Sequence, residues 1–379
     1  MAGGRAVAGQ SVLGLVALAL ACGGTPDAPG LRERGQSILR GTLASSPELN
    51  HTGALVAIDR TTHEPRLFCT ATLIAPALVV TAKHCALAVF DAEQLQLDVA
   101  WLAGPSVAEA EEVIPIVAVE LAPGNSGGFL GLGSDVAVAH LEHATAIEPV
   151  EPAALGDEQI GQAMVSIGYG VFSPDGAEDQ RRRIGSETVA ALHGRVLAAI
   201  FGDFESYVEW DQTGQVTSLN FLQLVSPGNL LAQLALLRYR QQFDSLLLLD
   251  GYEAVTGRSA GDTQTCSGDS GGPLALQNDD GGWQTYGVVS GGLFSLRSVC
   301  DYGSVFATFG PDTLAFLRSA RGWQDPCAEL PALGECRGSV AVRCDTRLLD
   351  GVRQSVERDC AADGQECFLA PDGADCHEP

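Results

Sequence analysis

Residues 264–274 read QTCSGDSGGPL, with Ser270 set between Asp269 and the Gly271–Gly272 pair. Gly, Ser, Asp and Pro are turn formers, so a surface turn is one reading. The other is an exposed nucleophile. Glycines let the backbone bend inward and bring N–H groups against a substrate oxygen without a Cβ in the way. A serine hydroxyl becomes an effective nucleophile only when a base takes its proton and an acid orients that base. His84 stands in VVTAKHC and Asp135 in GLGSDVAVAHL, directly before a small apolar run. A carboxylate entering a buried strand is costly unless something pairs with it. A histidine N–H is a suitable partner, and the bond would fix the imidazole tautomer. His84, Asp135 and Ser270 together would support acyl transfer to the serine hydroxyl.

The apolar, β-prone run ATLIAPALVVTA places His84 at the end of a buried strand. Cys69 precedes that run and Cys85 follows His84. Joining them would close a loop of about 15 residues, worth about 3 kcal/mol in the chain-entropy account, and would hold the His84 turn to the sheet. Many short Val/Leu/Ile/Thr runs are separated by Gly and Pro, a pattern that fits short strands joined by turns. One stretch departs from this. NLLAQLALLRYRQQF (229–243) has leucines at helical spacing and predicts an amphipathic helix, either packed on the surface or forming a lid beside a cleft.

TAKHC, SDVAVAHL and CSGDSGGPL, in that order, resemble the motifs of the trypsin/chymotrypsin-like serine proteases. VSIGYG (165–170), GVVSGG (287–292), SVFATF (304–309) and ILRGTLA (38–44) resemble further family segments. Lys83 stands where the family has Ala, Tyr169 and Gly291 where it has Trp, and Leu39-Arg40 where it has Val-Gly. The resemblance spans about Ile38–Gly322. It implies an all-β fold of two antiparallel six-stranded β-barrels of the chymotrypsin-like kind, with the active site between them. It makes Ser270 the nucleophile, His84 the general acid/base and Asp135 the residue that orients His84. The N–H groups of Gly268 and Ser270 would form the oxyanion hole. Asp269 would receive the ammonium of Ile38 once the chain is cut after Ser37, and Arg34 offers a basic processing site nearby. A Cys266–Cys300 disulfide would shape the specificity pocket, lined by Gln264, Ser290, Gly292 and Ser304. Gln264 is neutral at the pocket base, which speaks against cutting after Arg or Lys. Asp262 is close in sequence, with no reason to aim inward. The Asp135-to-Ser270 spacing is longer than the family's, and the surplus falls within 195–255.

The chain of 379 residues has a formal net charge of −25, from 47 acidic and 22 basic residues. That argues against nucleic acid and against an anionic membrane surface as partners. Eleven cysteines fall into three groups: Cys22 alone, four in the body, six near the end. Even sets suggest disulfides and an oxidising compartment. Arg5 precedes SVLGLVALALA, a run too short to span a bilayer comfortably, so residues 1–21 read as a signal peptide. LALACGG resembles the lipobox of bacterial lipoproteins, in which the cysteine is lipidated. Ala19-Leu20-Ala21 is also an ordinary signal-peptidase site, and both cuts fall before Cys22. Residues 22–37 read as a tether or propeptide, 38–322 as the protease-like domain with its helical insertion, and 327–376 as a small disulfide-rich module. No CxxC pair occurs there, against a zinc site.

The expectation is an exported monomer, extracellular or an outer-membrane lipoprotein of a bacterium. It would act on protein or peptide without metal or cofactor, and would touch the membrane only through a lipid at Cys22. The alternative is a protease-like surface lipoprotein that acts mainly as a binding module. The full set of triad residues and glycines argues against it, since a pure binder needs none of them.

Overall fold

The computed structural model describes residues 38–379 apart from 96, 125–132, 174, 216–229, 258–260, 293–299, 301–302, 350, 372 and 379. The expected signal peptide, Cys22 and the 22–37 segment lie outside the described residues.

Short strands follow one another as the alternating apolar runs dictate. They are β1 (Thr42–Leu43), β2 (Thr52–Asp59), β3 (Pro65–Ala75), β4 (Leu78–Thr81), β5 (Leu97–Ala103), β6 (Glu112–Leu121) and β7 (Ala137–Leu141). Helix α1 (Lys83–Gln94) sits between β4 and β5. Strands β6-β5-β2-β3-β4-β7 are hydrogen-bonded in that order, and β6 also pairs with β7. This closes a six-stranded antiparallel barrel. Leu55, Leu73, Val80, Trp101, Ile114 and Val138 are all buried in its core.

The second half continues with β8 (Glu151–Pro152), β9 (Ala163–Gly168), β10 (Arg183–Ala191), β11 (Gly194–Arg195), β12 (Leu247–Leu248), β13 (Glu253–Thr256), β14 (Pro273–Gln277), β15 (Trp283–Gly292) and β16 (Ser304–Thr308). The order β10-β13-β16-β15-β14-β9 closes through β10–β9 into a second six-stranded barrel. The expected pair of barrels is therefore present. Helices α2 (Val196–Phe201), α3 (Phe204–Gln215) and α4 (Leu230–Ser245) form the insertion, and α5 (Pro311–Ala320) follows β16. Phe309, Leu317 and Ala320 pack into the first barrel's core and so lock the two halves together.

Two buried polar side chains tie the halves further. The Tyr169 hydroxyl, after β9, reaches Gly104 O at 2.6 Å and Thr52 O at 3.1 Å, both in the first barrel. Arg182 is wholly buried and donates to the carbonyls of Ala44, Ser46 and Leu49 and to Asn50 Oδ1. A buried cation needs such full hydrogen bonding to be tolerated.

The tail pairs its cysteines as Cys327–Cys344, Cys336–Cys367 and Cys360–Cys376. Its strands are β17 (Glu335–Arg337), β18 (Val340–Leu349), β19 (Val352–Asp359), β20 (Glu366–Ala370) and β21 (Gly373–His377). A small cluster around Ala341, Cys360, Ala374 and Cys376 forms the tail's own core, and the three crosslinks support it. The tail also leans on the first barrel. Strand β19 pairs with β6 at Val352–Ala118, and Arg353 forms ion pairs with Asp325 and Glu142.

Candidate active site

His84 is presented on the first turn of α1, not at the end of β4 as the apolar run suggests. The helix begins there because Cys85, Ala86 and Val89 turn a small apolar face onto the barrel. Cys69 and Cys85 are joined, which fixes that turn to β3. Asp135 is buried just before β7 and its carboxylate grips His84 twice. His84 N donates to Oδ1 at 3.0 Å, and Nδ1 lies 2.8 Å from Oδ2. An Nδ1 proton committed to a carboxylate leaves Nε2 with its lone pair, the form a general base needs.

Ser290 was expected in the specificity pocket. Its hydroxyl donates to Asp135 Oδ2 at 2.6 Å, so it also braces the acid. Lys83 also belongs to this neighbourhood. Its Nζ donates to Gly124 O at 2.8 Å, and its backbone N to Asp135 O at 3.2 Å. Burial lowers the Lys83 pKa, and the Asp135 charge acts the other way.

Ser270 is partly exposed and its backbone is held from the first barrel. Thr70 N donates to Ser270 O at 2.8 Å, and Cys85 Sγ lies 3.6 Å from the same oxygen. The disulfide beside His84 and the backbone of Ser270 are thus in contact. The flanking glycines are required by packing. Gly268 has φ of 93°, and a Cβ there would lie 2.7 Å from Gly170 Cα. A Cβ at Gly271 would strike Thr81 Oγ1 and Thr70 O. Cys69, Cys85 and His84 also form a cluster of metal-ligating atom types. The two sulfurs are bonded to each other and offer no thiolate.

Asp269 is wholly buried beneath this loop. Its carboxylate accepts from Gly170 N at 2.8 Å and Cys266 N at 2.9 Å. No ion pair to it occurs among the described residues. Burial pushes its pKa up to about 7, with the Gly170 and Cys266 bonds opposing. Ile38 is fully buried, and Leu39 pairs with Gln264 through Leu39 N→Gln264 O at 2.7 Å. Cys266 and Cys300 form the expected disulfide. Gln264 is buried, with Nε2 donating to Gly257 O at 2.7 Å. Ser304 Oγ accepts from both Thr265 N and Thr265 Oγ1, at 3.1 and 2.9 Å. Gly292 ends β15 opposite Ser304. Asp262 is buried, and Thr188 Oγ1 donates to its carboxylate at 2.9 Å.

The insertion lies against the strands that carry this region. Val196, Leu197 and Ile200 of α2 pack with Tyr207, Val208, Phe243, Val255 and Val305. Ile200 also fills the space over Gly303. The helices brace β13 and β16 from outside, a packed arrangement among the described residues.

Glu187 escaped the sequence reading. It is fully buried, and accepts from Ser166 Oγ at 2.8 Å and Thr256 Oγ1 at 2.5 Å. The signal was available in RIGSETVAA. Arg183, Gly185, Glu187 and Val189 share one face of β10, so alternation points Glu187 inward. Burial pushes its pKa up to about 7. The fold therefore favours the protonated acid. That contribution is whole below the unfolded value near 4.5 and is lost as pH rises through about 7. Glu187→Gln keeps the neutral shape without the titration. Relative to wild type, the variant is expected to gain about 3 kcal/mol between pH 4 and pH 8. Urea unfolding at both pH values measures this. A difference independent of pH would refute it.

The trypsin family model matches residues 45–195. The match takes in His84 and Asp135 and ends where the insertion begins. Ser270 lies beyond it. No curated protein matches the chain.

Proposed function

We propose that this chain is an exported serine endopeptidase that hydrolyses peptide bonds through an acyl-enzyme on Ser270. The double grip of Asp135 on His84, with the Ser270 backbone held by Thr70 N and lying against the Cys69–Cys85 disulfide, carries the reading. His84 takes the Ser270 proton as the hydroxyl attacks the scissile carbonyl, then passes it to the leaving amine. Water repeats the sequence in reverse. Asp135 holds the imidazole and stabilises its cationic form, and Ser290 and His84 N hold Asp135. The N–H groups of Gly268 and Ser270 receive the developing oxyanion, each such donor being worth about 3–4 kcal/mol in the transition state. Five disulfides suit an oxidising, extracytoplasmic setting. Among the described residues no helix is long and apolar enough to cross a membrane. Membrane contact would rest on a lipid at Cys22.

Labelling with a fluorophosphonate probe, before and after limited proteolysis, is the direct test. Covalent label on Ser270 is expected. A folded, processed protein that never takes label would favour the binding-module reading.

The residue before the cleaved bond is expected to be uncharged. Gln264 supplies no fixed negative charge, and the Asp262 carboxylate is already engaged by Thr188. A peptide-library cleavage profile checks this. Dominance of Arg and Lys would mean that another acid reaches the pocket.

A further inference from the structure

The six-cysteine tail bears on the two elements that carry His84 and Asp135. Helix α1 presents His84 on its first turn, and strand β7 begins two residues after Asp135. The first turn of α1 is fixed by the Cys69–Cys85 disulfide and by Asp135. Its later turns meet the tail. The β18–β19 turn closes with Gly351 N donating to Leu348 O at 3.2 Å. Leu348 is buried in the same apolar core as Ala86, Val89 and Ala92 of α1. Phe90 of α1 covers Gly351 so closely that a Cβ there would lie 2.9 Å from Phe90 Cζ and 3.2 Å from Val119 Cγ2. Val119 N donates to Gly351 O at 2.7 Å, and Val352 pairs with Ala118. The turn is thus wedged between α1 and β6. Phe90 lies about 9 Å along the helix axis from His84, at about 1.5 Å per residue.

A second contact is independent of this turn. Arg353 Nε donates to Asp325 Oδ1 at 3.0 Å, and Arg353 Nη1 to Glu142 Oε1 at 2.9 Å. Glu142 directly follows β7. His140 of that strand stacks on Trp323 with ring centroids 4.2 Å apart, and its Nε2 lies 2.6 Å from Glu120 Oε1. Trp323 and Asp325 belong to the joint between α5 and the tail. Asp325 also accepts from Cys327 N at 2.9 Å, which stiffens that joint. The Arg353 and Asp325 side chains are each 13% exposed, so solvent screens their pair less than a surface bridge.

Close-packed interiors transmit strain, so a shift of the wedge moves the helix. We infer that the tail is a working part of the peptidase: its β18–β19 turn clamps α1 and its Arg353 clamps the end of β7, and together they set the spacing of His84 and Asp135. Leu348, Gly351 and Arg353 are positioning residues, acting through Phe90, Val119 and Glu142. The inference rests on the peptidase reading of that pair.

The test compares four full-length variants. Gly351→Ala sets a methyl against Phe90 and Val119. Adding Phe90→Leu to it restores room. Gly338→Ala is the control, because Gly338 has a similar φ of 65° in the same tail but a Cβ there meets nothing within 4 Å. Arg353→Met loosens the second clamp without adding bulk. Processed protein is labelled with a fluorophosphonate probe, kcat and KM are measured on a peptide ester, and the His84 Nδ1 proton is followed by NMR with 15N-histidine. Gly351→Ala is expected to label and turn over about tenfold more slowly at unchanged KM, since a small misplacement at a catalytic site costs up to about 10²-fold. Its His84 Nδ1 proton should lose the downfield position that the bond to Asp135 gives. Phe90→Leu should recover most of both, and Gly338→Ala should change neither. Arg353→Met should move both readouts the same way by a smaller factor, and it decides the matter if Gly351→Ala does not fold. Unaltered rate and proton signal in the folded clamp variants overturn the inference. So does an equal loss in Gly338→Ala, which would make the effect one of tail stability. A wild type that never takes label counts against the peptidase reading alone, because the proton signal reports the tail's hold on His84 without turnover.

Discussion

Ser270→Ala is expected to lower turnover about 10⁶-fold, with His84→Ala costing a similar factor and the double variant little more. The reason is that neither residue works alone. The hydroxyl attacks only while the imidazole accepts its proton, so removing either ends the same step. What survives is binding and oxyanion stabilisation, which leave about 10³–10⁴ over water. Asp135→Asn tests the geometry separately. The amide would accept one bond from His84, but its NH2 cannot accept the Nδ1 proton, and the ring would turn to the wrong tautomer. A loss of about 10⁴ is expected. Active-site titration and single-turnover assays on peptide esters and amides would resolve these factors. Near-normal peptide hydrolysis by Ser270→Ala or His84→Ala would end the assignment, whatever the distances among these residues.

His84, Asp135 and Ser270 were legible as candidates because each carries a local signature. Ser270 is fenced by glycines that the structure shows to be sterically compelled, and Asp135 precedes a strand whose face is buried. Cys69 and Cys85 flank one hairpin, so their pairing follows from short-range chain geometry. Residues that depend on long-range packing were harder to read. Ser290 reaches Asp135 across 155 positions, and nothing in GVVSGG separates a pocket residue from one that supports the acid. The helix bearing His84 was hidden because AKHCALAV is equally apolar and short-range, and only contact with the barrel decides for helix over strand. The six tail cysteines left their pairing open, since spacing alone does not say which strands will meet. Glu187 shows the converse. Strand parity pointed it inward, yet it went unread, because a charged residue on a buried face reads as an error until its hydroxyl partners are seen.

Ile38 released as a free N-terminus is expected to switch the protein on, and Asp269→Asn to keep it off even after the cut. Asp269 sits at zero exposure with two backbone donors, and Glu187 adds to the forces raising its pKa. A buried carboxylate in that state is stable only when protonated or paired with a cation. Arg183 acts favourably on it but forms its bidentate pair with Asp179 instead. An α-ammonium on Ile38 would supply the missing charge, because Ile38 is already buried and Leu39 is already paired with Gln264 two residues before Cys266. Ionised and paired, Asp269 would keep Cys266 N and Gly170 N in place, and with them the turn that aims Gly268 N–H at the substrate. The linkage sign follows. Unpaired, the acid contributes stability below pH 4 that disappears as pH rises through about 7. Paired, its pKa falls, so the cut form should lose stability and activity on the acid side instead. Asp269→Asn cannot hold an ammonium, and a misplaced oxyanion donor costs about 10²–10³ in turnover. The variant should fold, be cut normally and remain that much less active. N-terminal sequencing of fully active protein should begin at Ile38. Full activity with residues 22–37 still attached to Ile38, or in cut Asp269→Asn, would show that the loop is ordered by something other than a new terminus.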